Sequence, residues 1–266
     1  MNNRIILSAI FVIIVNLLAA GNASAVTWTS RTSGTSNNLN GVTYGNSTFV
    51  AVGGSGDILT SSDGVTWTSR TSGTSAVLWG VTYGNSTFMA VGDWGTILTS
   101  PDGVTWTSST SGMETGIFGV TYGNSTFVAV GAWGIILTSS DGVTWTLRTS
   151  ETSNNLNGVT YGNSTFGVVG GSGTILTSSD GVTWTSSTSG TSNNLIGVTY
   201  GNSTFLVVGG SGTILQSGTS LTVTTSSATS VTTSSATLNG TVNANGTSTT
   251  AWFDYGATSG SYTGSS

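Results

Sequence analysis

The sequence predicts an all-β fold, a five-bladed β-propeller, from one repeat and the strand patterns inside it. The motif VTW recurs at intervals of 39 residues, and near-copies of one unit indicate an architecture in which each unit buries its apolar faces against its neighbours. Each unit holds four short strand patterns separated by turn signals, the composition of a propeller blade. No 3.6-residue apolar period accompanies the repeat, which argues against a helical solenoid. The tryptophans of the motif are Trp28, Trp67, Trp106, Trp145 and Trp184.

The number of strand patterns predicts how the ring closes. The inner three patterns of the first unit cover residues 39–44, 48–52 and 57–60. An outer pattern at 26–32 precedes them, and the fifth unit ends without an outer pattern of its own. We therefore predict that residues 26–32 pair beside the last pattern, at 213–216, because this removes an open sheet edge. A segment at 221–225 competes for the same place.

Two turns recur with the repeat. Gly45-Asn46 joins the first two patterns, since both residue types accept positive φ. The Asn-Ser-Thr sequence there also matches the N-glycosylation pattern, but its place at a chain reversal favours a turn. Ser-Ser-Asp-Gly joins the third pattern to the fourth, and we expect its carboxylate to accept backbone N–H bonds within the turn. The aspartates of this turn are Asp63, Asp102, Asp141 and Asp180.

The second turn and the tryptophan after it carry a family resemblance. Ser61, Asp63, Gly64, Thr66 and Trp67 resemble the Asp-box of BNR-type propellers, although the turn is one residue shorter than the usual one. The whole unit is similar to the repeat of the photosystem II stability/assembly-factor-like group. This resemblance implies a propeller over residues 26–218, but it does not imply an activity.

The two ends of the chain differ in composition from the repeats. Residues 1–25 read as a signal peptide, with Arg4, an apolar stretch and a small-residue cleavage site at 23–25. Residues 219–266 are rich in Ser and Thr and resemble the first strands of a fibronectin type III-like domain, a partial β-sandwich. This segment is shorter than a whole module. Its core residues would be Leu238, Val242, Trp252, Phe253 and Tyr255.

Composition argues against catalysis. The chain has no His and no Cys, so imidazole-assisted and thiol nucleophiles are excluded, and no metal site or cofactor is predicted. A sialidase needs converging arginines, whereas Arg31, Arg70 and Arg148 share one repeat position in different blades. The net charge of −5 argues against nucleic acid as a partner. We therefore predict a non-enzyme, with glycoside hydrolase or sialidase activity as the least favoured alternative.

A binding site is predicted where the repeats differ. Strand direction alternates within a blade, so the loops before the first pattern and after the second share one face of the propeller. On this face the second and third units carry large aromatic residues where other units have Asn, Ser or Ile. The predicted site contains Trp79, Trp94, Phe118 and Trp133, with Asp93, Met113 and Glu114 in the same loops. The alternative is that these aromatics fold over the blade edges and extend the core.

These features predict an exported, non-catalytic binding or scaffolding module. Exposed aromatic side chains with a few polar neighbours suit a protein or a glycan, and signal cleavage would leave a secreted or cell-surface chain without membrane insertion. A structural segment of a larger surface adhesin and an assembly factor-like protein remain as alternatives.

Overall fold

The computed structural model describes residues 27–218, 222–232, 237–243, 254–255 and 264–265. Its elements are antiparallel strands and single-turn 3-10 helices, which confirms the all-β prediction. No helix within these residues has the length and apolar character needed to cross a membrane. The predicted signal peptide at 1–25 lies outside the described residues, as do Trp252 and Phe253.

The repeats form successive four-stranded sheets, here called blades, each with strands in chain order. Blade 1 holds β1 Leu39–Gly45, β2 Thr48–Gly53, β3 Ile58–Ser61 and β4 Thr68–Arg70. Blade 2 holds β5 Leu78–Gly84, β6 Thr87–Gly92, β7 Thr96–Ser100 and β8 Thr107–Thr110. Blade 3 holds β9 Ile117–Gly123, β10 Thr126–Gly131, β11 Ile136–Ser139 and β12 Thr146–Arg148. Blade 4 holds β13 Leu156–Gly162, β14 Thr165–Gly170, β15 Ile175–Ser178 and β16 Thr185–Ser187.

Blade 5 differs from the others because its sheet has three strands. These strands are β17 Leu195–Gly201, β18 Thr204–Gly209 and β19 Ile214–Gln216. A cleft of about 480 Å³ lies beside β19, lined by strand residues of blades 4 and 5. The other blades have a fourth strand next to the strand that corresponds to β19.

The predicted closing strand at 26–32 is not observed, because the part of it that the structure describes, residues 27–32, is not in a strand. Closure requires the apolar faces of blades 1 and 5 to be covered, whereas both are exposed. The competing segment is used elsewhere, because β20 Thr222–Thr229 pairs with β21 Thr237–Asn243.

The C-terminal region has two short antiparallel pairs in the described residues. One is β20 with β21, and the other is β22 Asp254–Tyr255 with β23 Gly264–Ser265. Backbone pairing of this kind is compatible with the start of a sandwich, and the fibronectin-like assignment of 219–266 stays a prediction. The side chains of its predicted core residues lie outside the described part.

Strand alternation gives each blade two apolar faces. In blade 1 the alternate residues Val50, Val52 and Ile58 pack on blade 2, and we call this the forward face. Blade 2 meets them with its backward face, which includes Leu78, Phe88 and their neighbours. The same pattern joins blades 2 and 3, blades 3 and 4, and blades 4 and 5. The core therefore consists of layers between blades.

The tight turn between the first two strands lies one residue later than the sequence predicts. Gly45 pairs with Thr48 within the sheet, and the two-residue loop is Asn46-Ser47, with φ of 43° and 57°. Positive φ at both loop residues matches the twist of a hairpin. Gly45 has another role, since a Cβ at this position would overlap the ring of Tyr83 in the next blade. Glycine is required there by blade packing.

Candidate functional site

The first variable position of each unit is a β-bulge. In blade 2 the pairing of β5 with β6 shifts between Leu78 and Gly80, so Trp79 is the extra residue, and Phe118 is the extra residue in blade 3. A bulge re-aims the side chain of the extra residue and is common beside functional sites. Trp79 is 40% exposed. The bulge explains how a strand residue reaches the variable face.

The second variable position is the middle of a 3-10 turn after the second strand. Trp94 and Trp133 occupy it with φ of 55° and 57°, in the left-handed region that costs a bulky residue about 1–2 kcal/mol. Their exposed fractions are 70% and 74%, so their rings lie in solvent. Neither core packing nor backbone preference accounts for tryptophan at these positions. In the other three blades the residue is serine with a similar φ.

The structure joins three of the predicted residues across the junction of blades 2 and 3. Trp79 donates its Nε1–H to Asp93 Oδ1 at 2.7 Å. The Trp79 ring also meets Phe118 edge to face, with centroids 6.3 Å apart and an interplanar angle of 87°. The hydrogen bond and the ring contact hold the indole in one orientation. A fixed, partly exposed indole is a suitable platform for a ligand.

Sequence reasoning missed Gly116, which makes room for this cluster. A Cβ at residue 116 would lie 2.6 Å from Phe118 Cε1 and 3.4 Å from Asp93 Oδ1. The equivalent residues of the next two units are asparagines, and Asn155 Oδ1 accepts the backbone N–H of Trp133 at 3.1 Å. The sequence signal that could have identified Gly116 is this replacement of asparagine by glycine at the same repeat position.

The loop that carries Met113 and Glu114 separates them. Met113 is partly buried and packs against the hydrophobic cluster between blades 2 and 3. Its carbonyl lies against Gly95, and the Gly95 N–H bonds to the Thr115 carbonyl at 2.7 Å. Glu114 is exposed on this loop. Met113 therefore packs between the core and the turn that carries Trp94, and the Glu114 side chain is free to contact a ligand at the surface.

The repeated aspartates organise the turns between the third and fourth strands. Asp141 Oδ1 accepts the backbone N–H groups of Thr144 and Val143, each at 2.8 Å, and the Ser139 hydroxyl at 2.9 Å. These hydrogen bonds favour the ionised carboxylate and lower the pKa of Asp141 to about 2. The same bonds recur at Asp63, Asp102 and Asp180. Each carboxylate is engaged within its own turn.

These lowered pKa values predict acid sensitivity. The pKa of Asp141 and Asp180 is about 2 in the folded chain and about 3.9 when unfolded. Their stabilising contribution is therefore complete above about pH 4 and is lost as the pH falls towards 2. Asp141→Asn should lower the melting temperature at pH 7 and flatten its fall between pH 4 and 2, as measured by circular dichroism. A fall between pH 4 and 2 that is as steep in Asp141→Asn as in the wild type would contradict the assignment.

Two of the arginines that a sialidase would need to converge lie on separate blades. Arg70 donates its Nε–H to Thr60 in blade 1, and Arg148 donates to Thr138 in blade 3, both at 2.8 Å. Each arginine is thus held on its own blade. The described part of the chain also contains no group of three or more acidic side chains placed to hold a metal ion.

Successive four-stranded sheets packed face to face, with each repeat forming one sheet, define the chain as a β-propeller. Solved propellers share this architecture. YCF48 from Cyanidioschyzon merolae matches with a TM-score of 0.54 and 17% identity, over 67% of this chain and 66% of that chain. YCF48 bound to D1 peptide matches with a TM-score of 0.54 and 18% identity, over 68% and 63%. The WD40 β-propeller domain of Doa1 matches with a TM-score of 0.54 and 14% identity, over 68% and 64%.

These identities establish the fold alone. The match spans about two-thirds of the length of these solved structures, at 63–66%. No protein-family model matches the chain, and no curated protein matches it in sequence. The Asp-box resemblance therefore remains a prediction from the residues of the turn.

Proposed function

We propose that the chain is a non-catalytic binding module that recognises a protein or a glycan through an aromatic patch. The patch consists of Trp79, Trp94, Phe118 and Trp133, with Asp93 and Glu114 as its polar members. The observation that carries the proposal is the pair Trp94 and Trp133. Both rings are mostly exposed, both have a left-handed backbone, and both stand at positions that are serine in the other blades.

Ligand chemistry follows from the groups on the patch. Indole faces stack on sugar rings and on apolar or aromatic peptide side chains. Asp93 is committed to Trp79, so Glu114 is the charged side chain left to contact a ligand. A peptide ligand has a precedent in fold, since YCF48 has been solved bound to D1 peptide. That precedent also keeps an assembly factor-like role as the second candidate.

A non-catalytic role fits the side chains present. The chain lacks His and Cys, and the arginines of blades 1 and 3 are held apart on separate sheets. The signal-like sequence at 1–25 supports export, which would place the patch outside the cytoplasm, on a secreted or cell-surface protein. With a net charge of −5, the surface offers little attraction for nucleic acid.

The test is binding by the full chain to a glycan array and to a peptide array. Trp94→Ser/Trp133→Ser restores the serine of the other blades, and we expect it to lose at least about tenfold in affinity for any wild-type ligand, since stacking on an aromatic side chain contributes about 1 kcal/mol or more. Val143→Ser is the matched control, because Val143 is also exposed but lies in a turn on the opposite face.

The two arrays separate the alternatives. Selective binding to sugars or to peptides identifies the ligand class, provided the double variant loses it and Val143→Ser keeps it. Binding that survives in the double variant would contradict the patch. Absence of binding on both arrays would favour the structural alternative, a segment of a larger surface adhesin.

A further inference from the structure

The forward face of blade 5 is an apolar surface that has no partner in the chain as described. Its residues Leu206, Val208 and Ile214 occupy the repeat positions of Val50, Val52 and Ile58 in blade 1. The blade 1 residues are fully buried against blade 2, whereas those of blade 5 are 41%, 46% and 69% exposed. Aliphatic residues at the same register thus differ in burial, because no blade packs on this face of blade 5 in the part of the chain that the structure describes.

The backward face of blade 1 is exposed in the same way. Leu39, Val42 and Tyr44 lie in solvent, whereas their blade 2 equivalents, including Leu78 and Tyr83, pack in the cluster between blades 1 and 2. The two free faces are therefore the two halves of one interface, which is formed four times within the chain. Apolar patches of this kind mark interaction surfaces.

Gly201 gives the forward face a specific feature. At each internal junction the tyrosine of one blade packs on the glycine that ends the first strand of the preceding blade, as Tyr200 packs on Gly162. A Cβ at this glycine would overlap the tyrosine ring. Around Gly201 no heavy atom lies within 4 Å of the Cβ position. Gly201 thus has space for a tyrosine ring that no described residue fills. Among the described residues, Tyr44 is the one repeat tyrosine that has no glycine of a preceding blade to pack on.

We propose that the forward face of blade 5 binds the backward face of blade 1 in a second copy of this chain, head to tail. The internal junctions show the contact that we expect. Tyr44 of one copy would pack on Gly201 of the next copy, as Tyr83 packs on Gly45 within the chain. The two faces differ from each other, so the contact is heterologous and yields a closed ring of copies or a filament. A second copy is the partner that carries the complementary register.

The absence of cysteine from the sequence allows a direct test by cross-linking. Tyr44→Cys is introduced into one full chain and Gly201→Cys into another that carries a larger tag, and the two are mixed under mild oxidation. At the internal junction a Cβ at Gly45 would lie 2.7 Å from Tyr83 Cβ, which is about 1 Å shorter than the Cβ–Cβ separation in disulfides, so a small shift between the two copies brings the thiols to bonding distance. We expect the mixed disulfide dimer as the main product, and linked dimers and higher species from the variant with both cysteines in one chain.

A matched control keeps the result specific. Val143→Cys mixed with Gly201→Cys places an equally exposed thiol away from the end faces and should give no more than the background of random collisions. Both cysteine positions are exposed in the chain, and circular dichroism will show that each variant keeps the wild-type spectrum.

Three outcomes would overturn the proposal. If the double variant forms only an internal disulfide and migrates as a single chain, the ring closes within one copy. If the mixed pair yields no more product than the control pair, the end faces do not meet between copies. If light scattering shows monomers at the concentrations that give the cross-link, the link reports collision and not assembly.

Discussion

Replacing Phe127 with alanine is expected to lower the free energy of unfolding by about 4 kcal/mol, the range found for fully buried phenylalanines. Phe127 is completely buried between blades 2 and 3. Its ring packs against Tyr122, its partner across β9 and β10, with centroids 4.7 Å apart. The variant removes this ring contact and leaves a cavity in the middle of the repeat array. Urea denaturation followed by tryptophan fluorescence measures the loss.

The equivalent residue at the end of the array is the control for this prediction. Phe205 has the same cross-strand tyrosine partner, Tyr200, but it is only half-buried because blade 5 lacks its outer strand. Phe205→Ala should therefore cost clearly less than Phe127→Ala. Equal losses would mean that the packing of blade 5 is the same as that of the internal blades, which contradicts the three-stranded sheet.

Replacing Gly84 with alanine is expected to destabilise the chain by about 3 kcal/mol, the upper part of the range for overpacked sites. A Cβ at residue 84 would overlap the stem of the Tyr122 side chain in blade 3. The stem cannot swing aside, so blades 2 and 3 must separate. Thermal and urea unfolding of the variant measure the effect.

Gly201→Ala is the matched control, because it makes the same change at the same repeat position with open space around it. In dilute protein we expect it to alter the stability of the single chain by less than about 1 kcal/mol, the usual scale of glycine-to-alanine effects on the backbone. A loss as large as that of Gly84→Ala in dilute protein would show that a tyrosine of the same chain stands on residue 201. The conclusion that the outer faces of blades 1 and 5 are exposed in the single chain would then be wrong.

Most of the fold could be predicted from the repeat in the sequence. A 39-residue period with four strand patterns predicted successive four-stranded blades, and the first strands of blade 1 begin at Leu39 and Thr48 as expected. Alternation predicted the two apolar faces. These properties depend on local sequence, so one unit contains the information for all of them.

The closing strand and the role of Gly45 could not be predicted in the same way. The position of an end strand depends on whether blades 1 and 5 meet, and no property of a single unit specifies that. Gly45 was interpreted as a turn residue because glycine favours turns. Its actual constraint is the ring of Tyr83, which is distant in sequence.

The candidate site was predicted as a list of residues, and its geometry was not. Comparison of the repeats identified Trp79, Trp94, Phe118 and Trp133. The bulge at Trp79, its hydrogen bond to Asp93 and the space left by Gly116 required the structure, because bulges and side-chain contacts across blades leave no periodic pattern. Met113 was included because of its loop, and its side chain instead packs into the core.

The free energy of unfolding of Trp94→Ser/Trp133→Ser distinguishes a binding surface from an extension of the core, and it requires no knowledge of the ligand. For a binding surface, urea denaturation should give a stability close to that of the wild type. The reason is that both rings are in solvent and that serine has the same left-handed backbone at this position in the other three blades. A loss of about 3 kcal/mol or more, the cost of truncating a buried tryptophan, would show that these side chains belong to the core.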